Sequence, residues 1–485
     1  MKIIVTLSLL LSMLFIACQS NNQRVPTSHD PLTRILNTIQ IESEQGVESY
    51  QECIEKTTKH YKAFFNLNHE ETLLDNYSTL QLKSLLNSSF KSRLNILKVL
   101  KQLSGDSDDS YKCMSSVRDL TRALRYFEDY VTEKLELTEQ SNLKEYITLE
   151  GQGPYLLVNP KYTFTGHKDL KSGDVILSRG NAYTSAAIAR IGTIDAQFSH
   201  VTSVYRDETG TLHTTEAHIE IGSVAMPWQV HVDQGNAREV VFRFKDSKVA
   251  HEAAKYVFER VKKFSASHKH NINYDFTMDY KDNSDLFCSE VVSSGFTKVT
   301  KSKVDIPRYK TKFNPNLIPF LKNIGIGVTP SNVSKFKTFG PGDLEFDDRF
   351  DLVAEWRKPT KLQGIRMKDA VLSKMYEWMA SKKYKLRQGV MIPLSARIAW
   401  LTRRLPLIKR SLVEKFPLNM KPKLLGTFLI LDEVGDILLA ELEKRQTQVN
   451  YPLSFKEMYS LLEDFREKDS KLKRRKSKLH KKFRP

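Results

Sequence analysis

The sequence predicts an α+β protein in which a domain built on an antiparallel sheet lies between two helical regions. Three observations predict this class. Apolar residues recur at helical spacing in residues 31–146 and again from Met367 onward, whereas short apolar segments bounded by turn residues fill the part between them. At 485 residues, with 40% hydrophobic and 27% charged residues, the chain is long enough for two or three globular domains.

The first 18 residues have the character of an export signal. Lys2 precedes a mostly apolar run, residues 3–17, which is too short for a permanent membrane span but suits a secretory signal. The stretch Leu14-Phe15-Ile16-Ala17-Cys18 resembles the lipobox of bacterial lipoproteins, and this resemblance implies that Cys18 becomes the lipidated first residue. A plain signal peptide that is cut elsewhere is the alternative. Gln19 stands where inner-membrane retention typically has Asp, which favours the outer membrane of a bacterial cell envelope.

Residues 19–30 are polar and are predicted to be a tether between the lipid and the first folded region. Residues 31–148 are predicted to form a helical domain of about three helices, because apolar residues such as Leu32, Ile35 and Ile39 recur at helical spacing. A packing or spacing role is expected for this domain. No later segment reaches about 18 consecutive apolar residues, so we expect no membrane-spanning helix.

The sheet domain is predicted at residues 150–360, after a change of character at Gly151-Gln152-Gly153-Pro154. Predicted strands cover residues 174–178, 200–205, 211–217, 240–244 and 350–356. A helix is predicted over residues 248–264 and another at Cys288. A C-terminal helical region is predicted at residues 365–465.

Residues 466–485 form a basic tail. Between residues 471 and 484 the tail has nine Lys or Arg and no acid, and it contributes to a net charge of +18. Such a block is typical of a solvated, disordered arm, or it binds anionic lipid or envelope polymers. Nucleic acid is the least expected partner, because the N-terminus predicts export.

A histidine and a glutamate are predicted to meet on a β-hairpin. One strand runs from His200 to Tyr205, and the return strand begins at Thr211 after a polar turn. If Tyr205 faces Thr211, His200 faces Glu216, and opposed residues lie on one face of the sheet about 5 Å apart. A carboxylate there would orient the imidazole and free its other nitrogen to serve a nucleophile. Glu220 is the rival carboxylate, but it lies past the predicted strand end.

Cys288 is the candidate nucleophile. Asn283, Ser284 and Asp285 are good helix N-caps, which predicts that Cys288 lies in the first turn of the following helix. The partial positive charge and free N–H groups of a helix N-terminus favour a thiolate and can also stabilise an oxyanion. Tyr274 is a candidate donor of a further hydrogen bond to that oxyanion.

Five short motifs follow one another between residues 165 and 300, with the histidine before the cysteine. They are Gly173-Asp174-Val175-Ile176-Leu177, Phe198-Ser199-His200-Val201, Thr215-Glu216-Ala217, Tyr274-Asp275-Phe276 and Phe287-Cys288-Ser289-Glu290-Val291-Val292. Together they resemble the permuted papain-like amidases of the YaeF/YiiX family, relatives of the NlpC-type cell-wall peptidases and of lecithin retinol acyltransferase. The resemblance implies a circularly permuted papain-like (NlpC-type) domain in which Cys288 is the nucleophile, His200 the base and Glu216 the orienting residue. It also implies that Tyr274 lies near the site.

Two further cysteines, Cys53 and Cys113, lie in the helical domain. If Cys18 carries lipid and Cys288 does chemistry, these two remain, and export permits a disulfide between them. Two buried free thiols are the alternative, and the sequence does not decide between them.

No metal and no cofactor are expected. His213, His218 and His231 lie near the hairpin, but their spacing fits no common zinc pattern. The sequence has neither a phosphate-binding loop nor a dinucleotide fingerprint.

These observations predict an envelope-anchored cysteine hydrolase that cleaves an amide or ester bond through a Cys-His-Glu triad and an acyl-enzyme. The family resemblance favours amide bonds. One alternative is an acyltransferase that passes the acyl group to a lipid or an amine, and a second is a non-catalytic binding module. The expected partners are an acyl or peptide substrate, membrane lipid at the N-terminal anchor, and an anionic surface at the basic tail.

Overall fold

The computed structural model describes residues 31–67, 74, 77–102, 107–138, 156–280, 282–389, 391–402 and 419–485. The predicted signal peptide, the lipobox with Cys18 and the tether lie outside these residues. Across the part of the chain that is described, no helix combines the length and the apolar character that a membrane crossing requires.

Among the described residues, four helices form an N-terminal bundle, where about three were predicted. They are α1 (Pro31–Gln45), α2 (Tyr50–Phe65), α3 (Thr79–Gln102) and α4 (Asp108–Thr138). Helix α1 ends before Gly46, whose φ of 75° is in the left-handed region that glycine tolerates. Ser49 then caps α2 by accepting a hydrogen bond from the Glu52 N–H at 3.2 Å. Helix α4 packs against both α2 and α3, so it forms the centre of the bundle.

A disulfide joins α2 to α4, between Cys53 and Cys113, whose Cα atoms are 5.6 Å apart. The bond closes a loop with a sequence separation of 60 residues. We expect the Cys53→Ala/Cys113→Ala double variant to lose about 4 kcal/mol of unfolding free energy, because the unfolded chain regains the entropy of that loop. Urea unfolding with and without a reductant measures this loss. The reductant should destabilise the wild type and leave the double variant unchanged, and an equal effect on both would contradict the prediction.

A seven-stranded antiparallel sheet forms the centre of the chain. In spatial order its strands are β1 (Leu156–Val158), β9 (Phe350–Arg357), β6 (Arg238–Phe244), β2 (Val175–Arg179), β3 (His200–Arg206), β4 (Leu212–His218) and β5 (Gly222–Pro227). The predicted α+β class and the antiparallel sheet are confirmed. The circularly permuted, papain-like arrangement stays a prediction.

Shorter elements and two long helices connect the strands. They are α5 (Tyr183–Ile188), α6 (Trp228–Gln234), α7 (Ser247–His268), α8 (Cys288–Val299), β7 (Thr311–Lys312), α9 (Ile318–Asn323) and β8 (Lys337–Thr338). Helices α7 and α8 pack against each other and against β3. Alternate residues of the sheet, such as Leu177 and Val201, join the core under these helices, while Ile176 and Val204 join a second core on the other face.

The C-terminal region contains α10 (Pro359–Ser381), β10 (Lys385–Leu386), α11 (Met391–Thr402), α12 (Pro422–Gln446), α13 (Phe455–Ser470) and β11 (Phe483–Arg484). Helix α10 is the centre of this region, because it packs against α12 and α13 and also against α4 of the bundle. The region is therefore attached to both of the preceding parts of the chain.

The basic tail is folded, so the prediction of a disordered arm is wrong. Asp469 at the end of α13 accepts hydrogen bonds from Ser477 Oγ at 2.6 Å and from the Lys478 and His480 N–H groups at 2.8 Å. Leu479 and Phe483 are fully buried, and β11 pairs with β10. Two buried apolar side chains, one carboxylate and a strand pairing thus hold a segment whose composition is otherwise that of a solvated arm.

A network of buried charges joins the bundle to the sheet. Glu355 on β9 lies 2.7 Å from Arg93 Nη2 of α3 and 3.2 Å from Arg125 Nε of α4. Its strand neighbour Arg357 lies 2.7 Å from Glu355 and reaches Asp129 of α4 at 2.8 Å. These five side chains are fully buried, so each charge depends on its partners for the solvation that water would otherwise give.

The same network reaches the segment that leads into β3. Arg125 Nη1 donates to Gln197 Oε1 at 2.7 Å, and Arg238 Nη2 donates to the Gln197 carbonyl oxygen at 2.7 Å. Both guanidinium groups pack on the Phe198 ring, 4.9 and 5.3 Å from its centroid. The bundle therefore helps to position the start of β3, where His200 lies.

Candidate functional site

The β3–β4 hairpin has a register two residues away from the predicted one. Ser203 pairs with Thr215, and the same register continued along both strands sets His200 opposite His218 in place of Glu216. Side chains alternate along a strand with a period of two, so a two-residue shift leaves Glu216 on the same face as His200. The predicted contact is present, because His200 Nε2 lies 2.9 Å from Glu216 Oε2.

Asp207 sets this register. Its N–H donates to the Thr211 carbonyl oxygen at 3.0 Å, and its Oδ1 accepts from the Thr211 N–H at 2.9 Å. These two hydrogen bonds close the turn between Asp207 and Thr211, further along the chain than predicted. Tyr205 consequently faces His213 in place of Thr211. This is the Asx-turn chemistry that makes aspartate a turn residue.

Glu216 is the centre of the site. Its side chain is fully buried and lies within 2.8 to 3.1 Å of nitrogens of His200, His218 and His231. Gln234 Nε2 also donates to it, at 3.3 Å. Burial alone would raise the pKa of this carboxyl, but the charge of His231 and the polar contacts with the three imidazoles hold the pKa of Glu216 well below its usual value. The carboxylate is therefore ionised whenever the protein is folded near neutral pH.

His231, on α6, received no catalytic role from the sequence, yet it supports Glu216 directly. Its Nδ1 lies 2.8 Å from Glu216 Oε1, and its Nε2 lies 2.9 Å from Glu239 Oε1. Burial lowers the pKa of His231, but the two carboxylates more than offset this and raise it to about 10. A buried imidazolium thus bridges two carboxylates. The role of His231 was not predicted from the sequence, because the short helix α6 has no apolar periodicity that would have placed His231 beside Glu216.

Cys288 is the first residue of α8, as predicted, and its thiol is buried. The predicted N-caps were wrong. Phe287 has the N-cap position, and its N–H donates to Glu290 Oε2 at 2.9 Å. The Cys288 thiol is close enough to the His200 ring to raise the pKa of that ring. Because Glu216 occupies Nε2, the nitrogen left for the thiol is Nδ1.

The His200 ring lies between the Cys288 thiol and the Glu216 carboxylate. Burial lowers its pKa, but the hydrogen bonds with Cys288 and Glu216 more than offset this and raise the pKa of His200 above its usual value. A ring with a raised pKa is the better base toward a thiol. Its side chain is 17% exposed, so a substrate can approach the ring from solvent.

Tyr274 lies beside the start of α8. The Asp275 N–H donates to the Leu286 carbonyl oxygen at 3.2 Å, and the Leu286 N–H donates to the Asn273 carbonyl oxygen at 3.1 Å. Burial and the nearby Cys288 raise the pKa of Tyr274 well above its usual value. The hydroxyl therefore stays protonated and able to donate a hydrogen bond.

Glu290 caps α8 from inside the core, and this position makes the stability of the fold depend on pH. Burial, together with the charges of Asp275, Asp279 and Asp282, raises the pKa of Glu290 to about 9. The pKa of Glu290 is higher in the folded than in the unfolded chain, so protonated Glu290 stabilises the fold. This contribution is complete at pH values below the pKa of Glu290 in the unfolded chain. That contribution declines as the pH rises from about 4.5 toward 9.

We expect Glu290→Gln, which keeps an oxygen acceptor for the Phe287 N–H, to be less sensitive to pH than the wild type. The difference in slope should approach about 1.4 kcal/mol per pH unit between the two pKa values. Urea unfolding of both proteins across this pH range measures the slopes. Parallel curves for the two proteins would contradict the expectation.

Three of the hairpin side chains also form a group that suits a metal ion. One donor atom from each of His200, Glu216 and His218 lies within 4.8 Å of the others. Sequence reasoning considered His213, His218 and His231 instead, but His213 Nε2 pairs with Asp207 at 2.8 Å. The sequence does contain one indication of this group. Residues two apart on a strand lie on the same face, so Glu216 and His218 share a face that also carries His200 of the neighbouring strand.

The fold and the site define an α+β protein in which a cysteine at a helix N-terminus meets a histidine and a buried glutamate on a hairpin. No protein-family model and no curated protein matches the chain. Among solved structures, the chain is similar to the crystal structure of metalloprotein YiiX from Escherichia coli O157:H7, at 20% identity and a TM-score of 0.28. The match covers 38% of this chain and 96% of that one. This weak similarity defines neither a papain-like fold nor an activity for the chain.

Proposed function

We propose that the protein is a lipid-anchored cysteine hydrolase of the cell envelope that cleaves an amide or ester bond. One observation supports the proposal above all others. The Cys288 thiol, at the start of α8, is close enough to the His200 ring to raise the pKa of that ring, whose Nε2 lies 2.9 Å from the buried Glu216 carboxylate. The three side chains thus form the series of nucleophile, base and orienting group that covalent catalysis uses.

In the proposed reaction, His200 Nδ1 takes the thiol proton and the sulfur attacks the acyl carbon. The N–H groups at the start of α8 and the Tyr274 hydroxyl are the candidate donors to the oxyanion. His200 then protonates the departing amine or alcohol, and the acyl group stays on sulfur as a thioester. Water, deprotonated by the same ring, cleaves the thioester and restores the free thiol.

We expect a thiol-directed acylating probe to label the wild type at Cys288. Cys53 and Cys113 are joined in a disulfide, so within the described residues Cys288 is the free thiol. Cys288→Ala should lose the label, and His200→Ala should acquire it about 10²–10⁴-fold more slowly because the base is gone. Peptide mapping by mass spectrometry locates the label. Equal labelling of the wild type and Cys288→Ala would argue against the proposal.

A metal-dependent hydrolase is the second candidate, supported by the group of His200, Glu216 and His218. Their N···O separations of 2.9 and 3.1 Å approach those of ligands that share one zinc ion, given Zn–N and Zn–O bonds of about 2.0–2.2 Å. The His218 Nε2 atom is buried and makes no well-aligned hydrogen bond among the described residues, which suits a ligand. A zinc ion there would supply a Lewis acid and an activated water.

The variant His218→Ala separates the two candidates, since His218 transfers no proton and binds no acyl group in the cysteine mechanism. Acylation of Cys288 that continues at the wild-type rate, in protein without stoichiometric zinc by elemental analysis, supports the cysteine hydrolase. Stoichiometric zinc in the wild type that disappears in His218→Ala, together with loss of hydrolysis, supports the metal enzyme.

A further inference from the structure

Helix α11 presents an unusual concentration of exposed apolar side chains. Leu394, Ile398, Trp400 and Leu401 are 48, 51, 36 and 64% exposed. Leu394, Ile398 and Leu401 have the i, i+4, i+7 spacing of one helix face. Arg397 lies on the same side and is exposed, and it is the one charged residue of the helix. Elsewhere in the described chain, exposed large apolar side chains are scattered singly, which is ordinary.

The opposite face of α11 is the one that packs on the protein. Ala396 is buried, and Ile392 and Ala399 pack against the main core, again at i, i+4, i+7 spacing. This face rests on α12. The helix is therefore fixed to the fold by its small residues while its large apolar residues point outward. A soluble monomer gains nothing from that arrangement, so the outer face indicates an interaction surface.

The charge of the sequence that contains α11 indicates the occupant. Between Lys382 and Lys423 the sequence has twelve Lys or Arg residues and a single acid, Glu414. Lys385, Arg387 and Lys421 are among those that are exposed. An apolar helix face with a tryptophan and surrounding cations matches the headgroup and acyl boundary of an anionic bilayer. A protein partner would need a concave apolar surface with a strongly acidic rim.

The helical unit that carries this face also touches the candidate active site. Asn419, three residues before α12, donates from Nδ2 to the Tyr274 carbonyl oxygen at 2.8 Å. Gly435 of α12 approaches the ring of Tyr183 on α5 so closely that a Cβ there would lie 2.6 Å from it. The face and the site therefore belong to one packed structure.

We propose that α11 is a membrane-docking helix whose outer face inserts among anionic lipids, independently of any N-terminal lipid anchor. Docking would hold the Cys288 site at the bilayer surface. If the site is the hydrolase proposed above, its substrates are acyl compounds that reside in or at the membrane.

Tryptophan fluorescence of the full chain tests the docking directly. The other three tryptophans, Trp228, Trp356 and Trp378, are buried, so Trp400 is the one that lipid can reach. We expect vesicles of phosphatidylcholine with phosphatidylglycerol to shift its emission to the blue. Brominated acyl chains in those vesicles should quench it. Trp400→Phe should lose both effects, and vesicles of phosphatidylcholine alone should give much smaller ones.

A matched pair of variants completes the test. Leu394→Ser/Ile398→Ser/Leu401→Ser should weaken the lipid response about tenfold or more, because three apolar side chains no longer enter the acyl region. The control changes three exposed apolar residues of the bundle, Ile41→Ser/Leu80→Ser/Leu137→Ser, and should respond like the wild type. Unquenched Trp400 in anionic vesicles overturns the proposal. A dimer in sedimentation that only the α11 variant dissociates would also overturn it in favour of self-association. Because none of these readouts needs a reactive Cys288, the proposal can fail or succeed separately from the proposed hydrolase.

Discussion

Glu216→Gln is expected to slow the acylation of Cys288 by about 10⁴-fold while leaving the protein folded. The wild-type carboxylate shares hydrogen bonds with the His200 and His231 rings at 2.9 and 2.8 Å, and His218 Nε2 lies 3.1 Å from it. A glutamine has the same shape but one acceptor oxygen, and its NH₂ group repels an N–H donor. His200 would then lose the partner that holds its tautomer and ring orientation and that stabilises the imidazolium formed during attack. The rate of labelling by a thiol-directed acylating probe measures the loss, and circular dichroism checks the fold.

Glu239→Gln is the matched control. Glu239 flanks the same His231 imidazolium, at 2.9 Å, but it makes no contact with His200. This variant should therefore lose stability, because His231 keeps only one of its two carboxylates, while its acylation rate stays within a few-fold of the wild type. Equal loss of rate in Glu216→Gln and Glu239→Gln would mean that the cluster is structural. An unchanged rate in Glu216→Gln would remove Glu216 from the mechanism.

Glu355→Ala is expected to lower the free energy of unfolding by about 3–5 kcal/mol. Glu355 is fully buried between Arg93, Arg125 and Arg357, at 2.7 to 3.2 Å. Its loss leaves these guanidinium groups with an excess of positive charge in the core. Urea unfolding at neutral pH measures the effect.

The pH dependence of this variant follows from the same contacts. Burial alone would raise the pKa of Glu355, but the charges of Arg357, Arg93 and Arg125 hold it far below its usual value. The stabilisation is therefore present above the unfolded pKa and is lost as the pH falls toward the folded value. The difference between Glu355→Ala and the wild type should accordingly shrink in acid.

The control is an exposed pair of the same kind. Asp109 lies 2.9 Å from Lys112, and both side chains are more than half exposed. Asp109→Ala should change the free energy of unfolding by less than about 1 kcal/mol, because water solvates both charges. If Asp109→Ala and Glu355→Ala had similar costs, the buried network would not be what joins the bundle to the sheet.

The local parts of the site were within reach of the sequence because each depends on a short-range rule. The period of two along strands placed His200 and Glu216 on one face even though the predicted register was wrong by two residues. The start of α8 at Cys288 followed from an apolar helical pattern after a polar turn. The choice of N-cap was wrong, because Glu290 satisfies the Phe287 N–H from within the helix and no polar cap residue is needed.

The rest of the site depends on contacts that no local pattern encodes. His231 meets both Glu216 and Glu239 only after β6 and the short α6 have packed beside the hairpin. His218 entered the group through the actual register of the hairpin, which the turn formed by Asp207 decides. The buried arginine network pairs residues more than 200 positions apart, such as Arg93 and Glu355. Charged residues are ordinarily found at the surface, and no local pattern distinguishes these buried ones from the rest.

The contacts of Arg125 and Arg238 with Gln197 and Phe198 limit how the protein can be divided. A fragment that began at β1 would keep Arg238 and Arg357 but lose the Asp129 carboxylate that both of them meet. The stretch entering β3 would lose its support at the same time. The candidate site therefore cannot be moved into another protein without the N-terminal helices. A compound that separated these helices from the sheet would disturb the site without contacting Cys288.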